Sequence, residues 1–321
     1  MRVAVIGCGY WGKNLVRNFA ELGALAAIYD QDSSCIEAMQ QKYGPIQTID
    51  SFEACLVDKR FTAVVLAIPA EFHYSMVKEA LLAGKDVFVE KPLALTIEEG
   101  TELVRLANEK QKILMVDHIL QYHPAVIKLK ELIDGGTLGK LQYVYSHRLN
   151  IGKLRREENI LWSFAPHDIS VILSLAGEFP LKVRAFGEAY LQQQVFDTTI
   201  TDLSFRDRLR AHIFVSWLHP FKEQKLVIVG DKSMAVFDDL LVAESKLTLY
   251  PHKVEWVNRI PVASKAEGES VPIEKKEPLK EACKHFLECI QNRTSPKTDG
   301  KEALEVLKVL ALAQKDLDRG E

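Results

Sequence analysis

Three groups of residues in this chain have the types and spacing that chemistry needs. The first is Gly7-Cys8-Gly9-Tyr10-Trp11-Gly12, a GxGxxG run between an apolar stretch, Val3–Ile6, and a helical pattern. In that context Gly7 permits a tight turn, Gly9 lets the backbone approach a pyrophosphate, and Gly12 lets the helix pack close to the strand. The free N–H groups at the start of the helix then hold the phosphates, with Tyr10 and Trp11 on the same loop. Asp30 ends the next apolar run, 18 residues after Gly12, where a carboxylate can bond ribose hydroxyls. A 2′-phosphate would meet like charge there. NAD is therefore favoured over NADP, with Arg17 and Lys42 as the cations that could complicate the preference.

The second group is Glu90-Lys91-Pro92, directly after the apolar run Asp86–Val89. In open parallel sheets, ligands bind at the carboxyl ends of the strands, and a lysine there can reach both a nicotinamide and a substrate hydroxyl. Pro92 can fix an unusual backbone geometry, including a cis bond. Elsewhere in a sequence, a single lysine is usually a solvated charge. The third group is Trp162-Ser163-Phe164-Ala165-Pro166-His167-Asp168. Pro166 suits a first helical turn, which would place His167 and Asp168 near a helix N-terminus. Histidine carries protons near neutral pH, and hydride transfer from an alcohol needs such a group. Asp168 also has a simpler reading, because acids favour the first turn of a helix.

The elements that must position these groups can be read from the hydrophobic pattern. Val3–Ile6, Ala24–Tyr29, Ala63–Ile68, Asp86–Val89 and Ile113–Val116 are short apolar runs without alternation. Such runs suit strands buried on both faces of a parallel sheet. Helical patterns at Phe72–Ala83 and Ile97–Lys110 supply crossovers, so residues 1–120 read as a doubly wound α/β Rossmann domain. Residues 121–321 read as a second, α+β domain for substrate binding and oligomerisation. There a helix at Pro124–Ile133 precedes alternating stretches at Leu141–Asn150, Lys182–Tyr190, Thr198–Phe205, Leu209–Trp217, Lys225–Val229 and Ala235–Phe237. Period-two alternation points to a large, mostly antiparallel sheet with one covered face. A helix at Pro166–Leu175 interrupts the strands, Lys265–Glu277 reads as a loop or a hinge, and helices at Leu279–Asn292 and Lys301–Leu317 close the chain.

Composition narrows the partners. The 321 residues are 47% hydrophobic and 26% charged, with a net charge of −3, the values of a globular chain. There is no clustered positive excess for nucleic acid or a membrane surface. The longest apolar run, near Phe61–Ala70, is about half of a membrane span. Five cysteines without a CxxC pair argue against a disulfide framework or a zinc site, so no metal is expected. The expected setting is the cytoplasm and the expected partner a small molecule.

Taken together, Gly7–Gly12, Glu90-Lys91-Pro92 and a helix-borne histidine at the start of an α+β domain resemble the Gfo/Idh/MocA oxidoreductases. The likeness extends through Glu277-Pro278-Leu279, Phe286 and Thr298-Asp299-Gly300. It implies hydride exchange with a nicotinamide cofactor at a sugar or cyclitol carbon, in a homodimer or homotetramer built through an open sheet face. Lys91 matches the family lysine that binds the reacting hydroxyl, and His167 matches the family histidine that acts as general base. Many members carry Asp four residues before that histidine; here the position is Ser163, which cannot hold charge. Lys91 with His167 is therefore the expected catalytic pair. Pro69, His73 and Glu90 fall where the family's loops pass the cofactor, and Tyr122-His123-Pro124 falls where its strand-to-helix crossing meets the site.

Within the family, the stretch from Arg148 and Asn150 through Arg155, Asn159, Trp162 and Ser163 to His167 is similar to the branch acting on nucleotide sugars. That likeness implies oxidation of C3 of UDP-N-acetylglucosamine, with Arg148, Arg155 or Arg156 pairing with the diphosphate. Tyr122 and Asn150 join the expected substrate contacts. Two alternatives stay open: a dehydrogenase of an inositol or free sugar, and an NAD-binding sensor without catalysis.

Overall fold

Val3 and Val5 point to one face of the first strand and Ala4 and Ile6 to the other, and all four are buried. That is the signature of a sheet covered on both sides. The computed structural model describes residues 2–152, 154–156 and 158–319, and the chain divides into two compact units.

The first unit comprises Met1–Tyr122 and Glu277–Lys308. Its sheet is built from β1 (Val3–Ile6), β2 (Leu25–Tyr29), β3 (Ala63–Leu66), β4 (Asp86–Val89) and β5 (Leu114–Val116). The order is β2-β1-β3-β4-β5 and every pairing is parallel. Between the strands run α1 (Gly12–Glu21), α2 (Ser33–Tyr43), α3 (Phe52–Val57), α4 (His73–Leu82) and α5 (Ile97–Lys110). The chain goes outward from β1 to β2 and returns to β3 on the other side of β1. The switch point of this Rossmann sheet therefore lies between β1 and β3, where the glycine loop begins.

The second unit comprises His123–Lys276 and Val309–Glu321. After α6 (Pro124–Asp134) come β6 (Leu141–Leu149), α7 (Ile160–Ala176), β7 (Lys182–Glu188), β8 (Thr198–Ser204) and β9 (Arg210–Ser216). Then follow β10 (Glu223–Gly230), β11 (Ser233–Asp238), β12 (Leu247–Val257), β13 (Ile260–Lys265) and the short β14 (Glu269–Ser270). The sheet order is β13-β12-β11-β10-β6-β9-β8-β7, with β14 beside β12. Its pairings are antiparallel apart from β6 with β9. The chain is thus α/β, a parallel Rossmann sheet followed by a large, mostly antiparallel one. Helix α7 packs on one face of this sheet, over β9, β6 and β8. On β6 and β9, Val144, Ser146, Ala211, Ile213 and Val215 are buried, while the alternating Tyr143, Tyr145, His147, His212 and Phe214 are only half-buried.

Three expectations from the sequence need correction. The tail does not belong wholly with residues 121–276. The boundary at Tyr122 lies close to that expected, but Glu277–Lys308 returns to the first unit. The cause is α8 (Pro278–Asn292), whose Leu279, Ala282, Cys283 and Phe286 fill the core over β1, β3 and β4. Phe286 meets Phe88 edge-on at 5.5 Å and Phe19 at 6.4 Å, contacts that stabilise beyond simple burial. The division falls inside the last helix, α9 (Gly300–Leu317). Second, α7 starts at Ile160, so Pro166 sits inside the helix rather than in its first turn. Asn159 caps it earlier by accepting a hydrogen bond from the Trp162 N–H at 3.3 Å, and the burial of Ile160, Leu161, Ala165, Ile169, Val171 and Ile172 holds the helix through Pro166, which lacks a donor. Third, β12 and β13 form a hairpin that the alternation pattern did not reveal. Residues 253–265 are exposed throughout, so no buried face imposes a period of two.

Candidate active site

The glycine loop shows which of its glycines the protein itself requires. Gly7 has φ +90°, and a Cβ there would lie 2.2 Å from the Ala67 carbonyl oxygen; one on Gly12 would lie 2.0 Å from that of Gly7. Close packing of β1, β3 and α1 accounts for both. A Cβ on Gly9 would meet no atom within 4 Å, so the space above Gly9 is open. Helix α1 starts beside it with no side chain capping its N-terminus, leaving N–H donors for an anion. An open cradle over uncapped donors fits a pyrophosphate. Tyr10 on the same loop is exposed and Trp11 is at its edge.

Asp30 follows the last residue of β2. Its Oδ2 accepts the Cys8 N–H at 2.6 Å and its Oδ1 accepts the Asp32 N–H at 2.9 Å. The carboxylate therefore joins the glycine loop to the end of β2. The nearby cations have acidic or aromatic partners of their own. Arg17 pairs with Glu277 and lies 3.7 Å from Glu21, while the Lys42 ammonium sits 5.2 Å above the Tyr43 ring.

Farther along the same carboxyl edge lie Pro69 after β3, Glu90 and Lys91 after β4, and Asp117 after β5. The Lys91–Pro92 bond is cis. His73 is buried, with Nδ1 2.6 Å from the Pro92 carbonyl oxygen and Nε2 2.9 Å from that of Ile68. Its ring thus fastens the turn carrying Lys91 to the loop after β3. His118 contacts Glu302 on α9 at 2.7 Å. Tyr122 is buried, its hydroxyl 3.3 Å from Thr298 Oγ1 and 3.9 Å from Met115 Sδ, and burial pushes the phenol up.

Asp117 is the residue that sequence reasoning missed here. It is 1% exposed, and neither of its oxygens nor Glu90 Oε1 has a hydrogen-bond partner among the described residues. Burial, with the charge of Asp117 second, pushes Glu90 well above the usual carboxyl range. Burial raises Asp117 to about 6 against the opposing pull of Glu90, Trp11, His118 and Lys91. An acid one residue past the apolar run Ile113–Val116 was the available signal.

In the second unit, α7 carries Ser163, His167 and Asp168 on consecutive turns. Ser163 and Asp168 are buried, and His167 is half-buried. Asp168 accepts hydrogen bonds from Arg148 Nε at 2.7 Å, Arg148 Nη2 at 3.1 Å and Ser146 Oγ at 2.5 Å. Burial works to lower the Arg148 guanidinium, yet Asp168, with Asp239 behind it, raises it on balance. Arg148 therefore clamps α7 to β6. Asn159 Nδ2 and Trp162 Nε1 both donate to Gln314 Oε1, at 2.8 and 3.0 Å, which ties the start of α7 to α9. Asn150 is half-buried, its N–H donating to the Ser216 carbonyl at 3.0 Å. Arg155 lies 3.0 Å from Glu158.

A second charged group was not legible beforehand. Asp239 follows β11, 3.4 Å from His123 Nε2 and paired with Lys246. His123 Nδ1 accepts the Ala125 N–H at 3.1 Å and so caps α6. Burial alone would raise Asp239, but His123 and Lys246 together hold it at about 2. Only the strand order, which places β11 two strands from β6, brings Asp239 toward Arg148.

Comparison with known proteins matches residues 1–118 to an oxidoreductase family with an NAD-binding Rossmann fold, and residues 126–236 to the GFO/IDH/MocA C-terminal domain. The chain is 25% identical over 308 residues to the UDP-N-acetylglucosamine 3-dehydrogenase of Acidithiobacillus ferrooxidans, covering 96% of this chain and 94% of that one. It is 26% identical over 206 residues to the inositol 2-dehydrogenase of Rhizobium meliloti, 61% of each chain. A solved structure of the Acidithiobacillus enzyme superposes with a TM-score of 0.86 at 24% identity, over 99% of this chain and 98% of that one. No described helix is long and apolar enough to cross a membrane. With both domains matched and the glycine loop, the Glu-Lys-Pro turn and the α7 histidine in place, the chain belongs to the Gfo/Idh/MocA family of NAD-binding oxidoreductases.

Proposed function

We propose that this protein is an NAD-dependent dehydrogenase that oxidises a nucleotide-sugar hydroxyl, at C3 of UDP-N-acetylglucosamine. The observation that carries the substrate is the extent of the likeness. It spans 96% of this chain for the UDP-N-acetylglucosamine enzyme, against 61% for the inositol 2-dehydrogenase.

A bound nicotinamide supplies the hydride acceptor. The chain's own residues do the rest. Lys91 holds the reacting hydroxyl oxygen and favours loss of its proton, and His167 accepts that proton as general base. Ser163 stands one turn before His167, so no carboxylate joins the pair from that position. His73 keeps the Lys91 turn in place. Because Arg148 is engaged by Asp168, recognition of the diphosphate falls to Arg155 and Arg156, with Asn150 beside them. Asn159 and Trp162 shape the start of α7 through Gln314. Asp30 would repel a 2′-phosphate, which supports NAD over NADP. The half-buried face with Tyr143, Tyr145, His147 and His212 favours a homodimer or homotetramer.

A substrate panel tests the reading. Mixed with NAD and UDP-N-acetylglucosamine, the protein should generate NADH absorbance, with kcat/KM at least about tenfold above that for myo-inositol or free N-acetylglucosamine. A preference for inositol would replace the nucleotide-sugar assignment.

A further inference from the structure

We propose that Glu90 and Asp117 share one proton in the cofactor-free protein, and that binding of oxidised but not reduced nicotinamide cofactor expels it to solvent. The inference rests on the cofactor reading above.

The geometry comes first. Glu90 and Asp117 directly follow Val89 and Val116, which are paired residues on the neighbouring parallel strands β4 and β5. Their side chains act directly on one another. As two carboxylates they offer only acceptors; three of their four oxygens have no partner in hydrogen-bond geometry among the described residues, and the Trp11 indole is the donor group that acts on Asp117. A buried acceptor without a donor is costly, and two buried like charges more so. One proton resolves both defects. Held on Glu90, it gives an O–H that donates to Asp117, leaving a single negative charge beside Lys91. The raised position of both acids agrees with that arrangement, since burial is the leading cause for each.

The position of the pair gives this proton a function. Asp30 marks the adenosine side of the switch point and the glycine loop the pyrophosphate. The second nucleoside therefore extends toward the carboxyl ends of β3, β4 and β5, where Glu90 and Asp117 lie. Oxidised nicotinamide carries a positive charge and the reduced ring carries none. A cation brought to the pair favours its fully ionised form, so the carboxyl O–H of Glu90 breaks, its electron pair stays on oxygen and the proton leaves. The other titratable groups facing the pair are Lys91 on the same turn, His118 with its partner Glu302 on α9, Tyr122 and the Cys283 thiol on α8. Cys283 is itself pushed well up, chiefly by burial, which leaves it protonated throughout the neutral range.

Titration calorimetry of the full-length, cofactor-free protein with NAD⁺ and with NADH, in phosphate and in Tris at neutral pH, counts the protons exchanged. NAD⁺ should release up to one proton and NADH clearly less. The ratio of NAD⁺ to NADH affinity should rise with pH between pH 6 and 8, by up to about tenfold per unit. In Asp117→Asn and Glu90→Gln, both the released proton and the slope should disappear while NAD⁺ still binds. Equal proton counts for the two nucleotides in the unaltered protein overturn the inference without reference to any variant. So does release that persists in both variants. Absence of binding by either nucleotide overturns the cofactor reading, and this inference with it.

Discussion

Arg148 grips Asp168 side-on, Nε to Oδ2 at 2.7 Å and Nη2 to Oδ1 at 3.1 Å, on the residue that follows His167. Two parallel charge-assisted bonds fix orientation as well as distance. The ion pair therefore sets the rotation of α7 against β6, and with it the direction in which His167 faces. Arg148→Ala leaves Asp168 buried without its cation and should cost about 3–5 kcal/mol, read as a lowered urea midpoint. Adding Asp168→Asn to that variant should recover part of the loss. If Arg148→Ala shifts stability by less than about 1 kcal/mol, as for an exposed pair, the clamp has been misjudged.

The glycine loop separates folding from cofactor binding. Gly12→Ala forces a Cβ to within 2.0 Å of the Gly7 carbonyl oxygen and should lower thermal stability markedly. Gly9→Ala places its Cβ in open space, so the melting temperature should stay close to that of the unaltered protein. NAD affinity should nevertheless fall by about tenfold or more, equivalent to about 1.4 kcal/mol. Unchanged affinity in Gly9→Ala would place the pyrophosphate elsewhere.

Much of this arrangement was legible because it is local. Val3–Ile6, the glycines and Asp30 lie within one βαβ unit, and sequence spacing alone sets their places. Lys91 was legible for the same reason, as the residue just past an apolar run. What escaped notice depends on distant packing. Pro166 reads as a helix start although the Asn159 cap on the Trp162 N–H is local; only the bond that holds Asn159 to Gln314, 155 positions away, lies beyond the sequence pattern. Glu277–Lys308 read as part of the second domain because nothing in the tail itself shows that Phe286 fits between Phe19 and Phe88. The pairing of Arg148 with Asp168 was not legible because its acid partner lies on a different element 20 residues on. The cluster of Asp239, His123 and Lys246 depends on strand order, which alternation does not encode.

Asp30 is the lever on cofactor choice. Asp30→Ser removes the negative charge and weakens the acceptor for the Cys8 N–H. NAD affinity should fall while NADP affinity rises, so that their ratio changes by about tenfold in a fluorescence titration. An unchanged ratio would mean that Asp30 serves only the loop backbone.

Asp239 links stability to acid pH. Its folded-state pKa of about 2 lies below the ordinary aspartate value. The unfolded chain therefore binds the proton more readily, and stability from this group is fully present above about pH 4. That contribution is lost as pH falls through the folded value near 2. It should be on the order of 2 kcal/mol, and Asp239→Asn should flatten the acid limb of a stability–pH curve. An unaltered limb would show that the His123 and Lys246 contacts carry no net energy.

Proton transfer by Lys91 and His167 during hydride exchange is tested most directly by two readouts on two variants. Lys91→Ala and His167→Ala should each lower kcat with UDP-N-acetylglucosamine by about 10²–10⁴ while NAD still binds by calorimetry. Near-normal turnover in both variants, with NAD bound, would contradict the account.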